Sequence, residues 1–151
     1  MFLRGCLKNI DYMEHASLKT LNKLAYRMKH VPYEINNEVF KPNDICDSMI
    51  CVVNGLIEVK MNFDNEKTVV ERLGKGSLIN SFNFIVEEEL QLTAIIASKN
   101  TSIYQISKSA FFDIVIHDKK LLKQILKLLI EDVRNLDPPQ RFLDFIKPVR
   151  F

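Results

Sequence analysis

Gly76-Ser77-Leu78-Ile79-Asn80-Ser81-Phe82 opens the stretch that decides the fold, and it runs on through Glu87-Glu88-Glu89 and Gln91-Leu92-Thr93 to Phe111. A glycine turn leads into a short apolar run, a polar pair and a second apolar run. An acidic loop and a further apolar run follow. Upstream stand Asp47-Ser48-Met49-Ile50, Val53-Asn54-Gly55-Leu56-Ile57-Glu58-Val59 and Leu73-Gly74-Lys75-Gly76, the same texture of short strands and glycine turns.

From Tyr33 to Ile106, β-branched and aromatic runs are broken at Pro42-Asn43-Asp44, Asn54-Gly55, Asp64-Asn65, Gly74-Lys75-Gly76 and Lys99-Asn100. Strands at this spacing predict an antiparallel roll or barrel. Asn54-Gly55, between two apolar runs, predicts a two-residue hairpin of type I′. Helical spacing brackets the roll. Ser17 is an expected N-cap for a helix carrying Leu18, Leu21, Leu24, Ala25 and Met28, which must end before Pro32. After Ser107, Ala110, Phe111, Ile114 and Val115 predict a short helix, and residues 118–136 a longer one stopped by Pro138-Pro139. The fold class expected is therefore α+β: an antiparallel β-roll with an N-terminal helix and two C-terminal helices. The divisions expected within a single domain, 1–151, are 1–32, 33–106, 107–136 and the tail 137–151.

Apolar residues of the long helix, from Leu121 to Leu136, spread over roughly 200° of its circumference, more than one packed face needs. Self-association or a protein partner along 118–136 is expected, with Ile130 and Val133 as the exposed edge. The tail residues Phe142, Leu143, Phe145, Ile146, Val149 and Phe151 are too apolar to stay in water and are expected to dock.

At 151 residues and 47% hydrophobic, the chain can bury one core without staples. A net charge of +2, from 21 basic and 19 acidic residues interspersed, provides no basic stripe for nucleic acid. No apolar run approaches the length that spans a bilayer, so no membrane insertion by this chain is expected, though a parent protein could be membrane-bound. Three cysteines, Cys6, Cys46 and Cys51, lack metal-ligand spacing and fit a reducing, cytoplasmic setting. His15 and His30 fall in the expected N-terminal helical part and His117 after the roll. That leaves no candidate strand with the ligands of a metal-dependent cupin, and neither catalytic residues nor a metal site are expected.

From about Asn9 to Asp132 the chain resembles the cyclic-nucleotide-binding domain family. That family's cassette is a Gly-Asp turn, then Phe-Gly-Glu opening a short helix, then an Arg entering the next strand. The resemblance implies that helix amides and the Arg hold the cyclic phosphate while the Glu reads the ribose. Aligning Gly76 with the first glycine puts Ser77 at the Asp, Ile79 at the Phe, Asn80 at the second Gly and Ser81 at the Glu, with Phe82 after them. The Arg position falls on Gln91, followed by Leu92 and Thr93. The phosphate's counter-charge is missing, and three glutamates occupy the loop before it.

The expected function is thus a non-catalytic regulatory or interaction module that has lost cAMP and cGMP binding, with no cofactor. The Asn-, Lys- and Ile-rich composition and the leader Phe2–Ile10 are similar to protist channel and kinase regulatory domains, which implies a channel or signalling parent. The alternative is a sensor of cAMP, cGMP or another small ligand through a rearranged cassette of Asn80, Ser81, Gln91 and Thr93. A bacterial transcription regulator would need a helix-turn-helix beyond Leu136, for which the remaining residues are too few. The resemblance also leaves two places for the tail: the vacant nucleotide pocket, or the outside of the roll.

Overall fold

The computed structural model describes residues 2–63, 66–87, 89, 91–134 and 146–147. Helix α1 (Phe2–Lys8) and a single 3-10 turn (Asp11–Met13) precede helix α2 (Leu18–Arg27). Ser17 caps α2 as expected, its side chain accepting from the Thr20 amide. The helix closes earlier than Pro32: the Met28 amide takes the Leu24 carbonyl, and Met28 itself is extended.

Strand β1 (Lys29–Pro32) then begins inside the segment read as helical. This moves the start of the roll upstream of Tyr33 and places His30 on a strand, where its ring packs 5.4 Å from that of Tyr104. Pro32 is tolerated because β1 is the edge of its sheet and Pro32 its last residue. Among the described residues no group of histidine, cysteine and carboxylate side chains could hold a metal ion.

The remaining strands are β2 (Glu38–Phe40), β3 (Ser48–Asn54), β4 (Ile57–Phe63), β5 (Glu66–Leu73), β6 (Leu78–Ile79), β7 (Leu92–Ile96), β8 (Ser102–Ser107) and β9 (Ile146–Lys147). They form two antiparallel sheets, ordered β1-β8-β3-β6-β9 and β2-β7-β4-β5. Ile50, Val52 and Ile103 of the first sheet and Ile57, Val59, Ala94 and Ile96 of the second are buried. With a side-chain period of two, these positions share the inner faces of the roll, whereas Met49 and Cys51 point outward. That outer face is covered by buried helix residues, Leu7, Leu21, Leu24, Phe111, Val115, Leu121 and Ile125.

Asn54-Gly55 is not a hairpin. It joins β3 and β4, which belong to different sheets, and only Gly55 has positive φ, at 90°. The turn is a corner that carries the chain from one sheet to the other, and it meets a second such corner between β7 and β8. A Cβ on Gly55 would stand 2.3 Å from Thr101 Oγ1 and 2.4 Å from Thr101 Cα. Thr101 Oγ1 in turn accepts from the Leu56 amide at 3.2 Å and donates to the Ser98 carbonyl at 2.8 Å, locking the two corners together. The turns at Pro42–Asp44, Gly74–Gly76 and Lys99–Asn100 form as expected, with Asn43, Gly76 and Asn100 in the left-handed region. Asp64-Asn65 lies outside the described residues, although its flanks Phe63 and Glu66 are paired.

After the roll, Ser107 caps α4 (Lys108–Val115) by accepting from the Ala110 amide, and α5 (Lys119–Arg134) follows. Of the tail, Ile146 and Lys147 pair antiparallel with Ile79 and Leu78, extending the first sheet at its edge. The other tail residues lie outside the described residues. Among the described residues no helix is long and apolar enough to cross a membrane.

Candidate ligand site

The cassette positions are gathered between β6 and β7, around the four-residue helix α3 (Asn83–Val86). The Gly76 amide donates to the Val52 carbonyl at 2.7 Å, and the Ser77 carbonyl accepts from the Val52 amide at 2.9 Å, so the entry turn is stitched to β3. Ile79 is buried beside Ile50. Asn80 has φ 64°, a left-handed value that glycine adopts without strain and asparagine tolerates. It is buried, and among the described residues its side-chain oxygen finds no hydrogen-bond partner.

Ser81, where the resemblance places a ribose-reading carboxylate, is 1% exposed, and its carbonyl accepts a 2.5 Å bond from the Tyr12 hydroxyl. Burial pushes the Tyr12 phenol well above its ordinary pKa, so it stays a donor. Phe82, half-buried, precedes α3 with no side-chain cap. The Phe84 amide turns back to the Asn80 carbonyl at 3.4 Å and the Ile85 amide to the Phe82 carbonyl at 2.9 Å, so these donors are engaged within the turn.

An aromatic cluster fixes this segment from behind. Phe84 meets Phe111 edge-on at 4.9 Å, and Phe111 meets Tyr12 at 6.3 Å and Phe112 at 5.4 Å. Past α3, Glu87 takes φ 51° and pairs with Lys108 at 3.5 Å, while Glu89 bridges to Ile45; Glu88 lies outside the described residues.

Gln91, at the guanidinium position, is exposed and donates to Asn43 Oδ1 at 3.4 Å. Leu92 is buried at the start of β7 on the face of Ala94 and Ile96. Thr93 alternates with them, opposite Lys60 across the sheet, and is 2% exposed. The expected positions are therefore brought together only in part: Gly76 through Ser81 form one buried segment with Phe82 half-buried after it, Leu92 and Thr93 are buried in β7, and exposed Gln91 turns to Asn43.

A cavity of about 360 Å³ opens between β2, β3 and β8, with Asp44, Asp47, Ser48, Ile50, Asn80 and Gln105 among its lining. Asn80 is the one cassette position that reaches it. Its lining contains two carboxylates and no cationic side chain among the described residues, a field that opposes an entering anion.

Sequence reasoning missed Tyr12, which holds the cassette from a distance of 69 positions along the chain. The one local hint was an aromatic residue in a short interhelical segment. It also missed the contact between Cys6 and Cys51. Both are buried, and a hydrogen bond from the Cys51 thiol lowers the Cys6 pKa, helped by the charge of Lys75. Burial pushes the Cys46 thiol up to about 12, so it is inert at neutral pH.

Two antiparallel sheets forming a roll, the short helix α3 between β6 and β7, and a helical cover define a β-roll domain. The chain belongs to the cyclic nucleotide-binding domain family, whose model matches residues 30–118. A cyclic nucleotide-binding-like protein from Brucella abortus is similar over 76% of this chain and 97% of its own, with TM-score 0.68 and 19% identity. The regulatory domain of Toxoplasma gondii PKA, solved with cAMP, matches at TM-score 0.66 and 18% identity over 74% of this chain and 42% of its own. The catabolite activator protein of Thermus thermophilus matches at TM-score 0.65 and 14% identity over 87% and 62%. At such identities the likeness concerns the fold. No curated protein matches the chain.

Proposed function

We propose that this domain is a non-catalytic regulatory or interaction module that has lost cAMP and cGMP binding and works through protein contacts, within a cytoplasmic channel or signalling assembly. The observation that carries the reading is Gln91. It replaces the expected guanidinium, and it is exposed and bonded to Asn43 rather than turned toward the cassette. Charge-assisted bonds contribute about 1.5–3 kcal/mol each, so loss of a bidentate arginine contact weakens nucleotide binding by roughly two to four powers of ten. Closed amides at Phe84 and Ile85, and the carboxylates of Asp44 and Asp47 in the cavity beside Asn80, act in the same direction.

Protein contacts are assigned to α5, where Leu126 and Ile130 are 52% and 56% exposed. A second reading, a sensor of a small ligand other than a cyclic nucleotide, is favoured by the 360 Å³ cavity beside Asn80.

Calorimetry with cAMP and cGMP at millimolar concentration tests the first reading. No heat of binding is expected, and a Kd in the micromolar range would overturn it. The combined variant Asn80→Gly, Ser81→Glu, Gln91→Arg is expected to gain measurable affinity, since it restores the left-handed glycine, the ribose acceptor and the counter-charge.

A further inference from the structure

Outside the roll, where the first turns of α2 and α5 meet α4, lies a cavity of about 270 Å³. Lys19 and Lys23 line it from α2, Lys119 and Lys120 from α5, and His117 from the turn between α4 and α5. All four lysines are exposed, and among the described residues none of them makes an ion pair. The carboxylate in the lining, Asp118, is occupied by the fold itself. Its Oδ2 accepts from the Ser17 amide at 3.2 Å and the Thr20 hydroxyl at 2.7 Å, and its Oδ1 from the Leu121 amide at 3.2 Å. Asp118 thus ties α2 to α5 and fixes the walls of the cavity that the four lysines line.

Like charges gathered around a concave surface repel, and the arrangement is relieved by an anion between them. The whole chain carries a net charge of only +2, so this is a local concentration rather than a general basicity. At about 270 Å³ the cavity falls just below the ~300–1,000 Å³ of pockets that take drug-sized ligands, which suits a compact, highly charged group.

We propose that the cavity bounded by Lys19, Lys23, Lys119 and Lys120 is a binding site for a compact polyanion, a group bearing two or more phosphates, which bridges α2 and the start of α5. Such a group is carried either by a free oligophosphate or by a phosphorylated lipid headgroup. The site is independent of the cassette, so it stands whether or not the roll takes a nucleotide.

Three proteins test it at low ionic strength: wild type, the variant Lys19→Gln, Lys23→Gln, Lys119→Gln, Lys120→Gln, and a charge-matched control, Lys8→Gln, Lys29→Gln, Lys99→Gln, Lys127→Gln. The first probe is sodium tripolyphosphate, followed by calorimetry, with sodium chloride at matched ionic strength as the blank. The second is sedimentation with phosphatidylcholine vesicles containing a phosphatidylinositol bisphosphate. Wild type and control are expected to bind at least one probe, and the site variant to bind it roughly tenfold more weakly or worse. Binding of tripolyphosphate with release from vesicles by it identifies a free anion as a sufficient ligand; binding of vesicles alone identifies the headgroup. Melting curves of the three proteins without ligand verify that each is folded. Equal loss in site variant and control, or no binding of either probe by wild type, overturns the proposal.

Discussion

The Tyr12 hydroxyl donates a 2.5 Å hydrogen bond to the carbonyl of Ser81, joining the turn before α2 to the middle of the cassette. Both residues are buried, at 4% and 1% exposure. Tyr12→Phe keeps the ring against Phe111 and removes only the donor. It is expected to lower the unfolding free energy by about 1–3 kcal/mol, the cost of leaving a buried acceptor unpaired. Urea denaturation followed by circular dichroism measures it, and an unchanged midpoint would show that the bond contributes nothing.

Gly55 provides a backbone test of the corner. With φ 90° and Thr101 within 2.3 Å of an added Cβ, Gly55→Ala must strain the turn and displace β8 together. A loss of about 1–3 kcal/mol or more is expected. Gly5→Ala is the control, because nothing stands within 4 Å of its added Cβ. If the two variants melt together, the tight approach of the corners is not a constraint on the fold.

Asp118 gives stability a pH dependence. Burial disfavours its charged form, but hydrogen bonds from Thr20, Leu121 and Ser17 outweigh this and hold the carboxyl below its ordinary value of 3.8. A depressed folded-state pKa means stability that is fully present above the unfolded-state value and is lost as pH falls through the folded one. Asp118→Ala is therefore expected to cost about 0.5–2 kcal/mol at neutral pH, as loss of a helix cap does. The gap to wild type should narrow below about pH 4. A gap that is constant down to pH 2 would refute the assignment.

Self-association along α5 is expected to depend on Ile130, which is 56% exposed beside Leu126. Sedimentation of wild type should show a concentration-dependent dimer in the micromolar range, and Ile130→Glu should abolish it with the melting temperature little changed. If both proteins remain monomeric, the exposed apolar edge serves another partner or none.

Much of the roll is legible from residue types because the signals are local. Ser17 and Ser107 cap the helices they precede, and Asn43, Gly76 and Asn100 stand at turns needing left-handed backbone. What escapes is decided at long range. Asn54-Gly55 has the chemistry of a hairpin, yet whether the next strand returns beside β3 or crosses to the other sheet depends on Thr101. Strand β1 is only four residues long and ends in proline; its existence rests on pairing with β8. In the cassette, the positions of Asn80, Ser81 and Gln91 are what the resemblance to the family implies. That Gln91 bonds to Asn43 and that Thr93 pairs with Lys60 could not be read from the sequence, because strand facing depends on register across the sheet.

The interlocked corners at Gly55 and Thr101 bear on how the chain reaches its native state. Residues that must meet lie far apart in sequence: Lys29 pairs with Gln105, Glu38 with Ile95 and Ser48 with Ser107, and among the described strands only the paired β4 and β5 are neighbours along the chain. Closing such loops sacrifices chain entropy before the contacts that reward it exist, which puts refolding on the order of milliseconds to seconds rather than microseconds. Because Thr101 bonds to Ser98 across its own turn and to Leu56 of the other corner, neither corner can be completed alone, and the two sheets are expected to acquire their order in one concerted event instead of in succession.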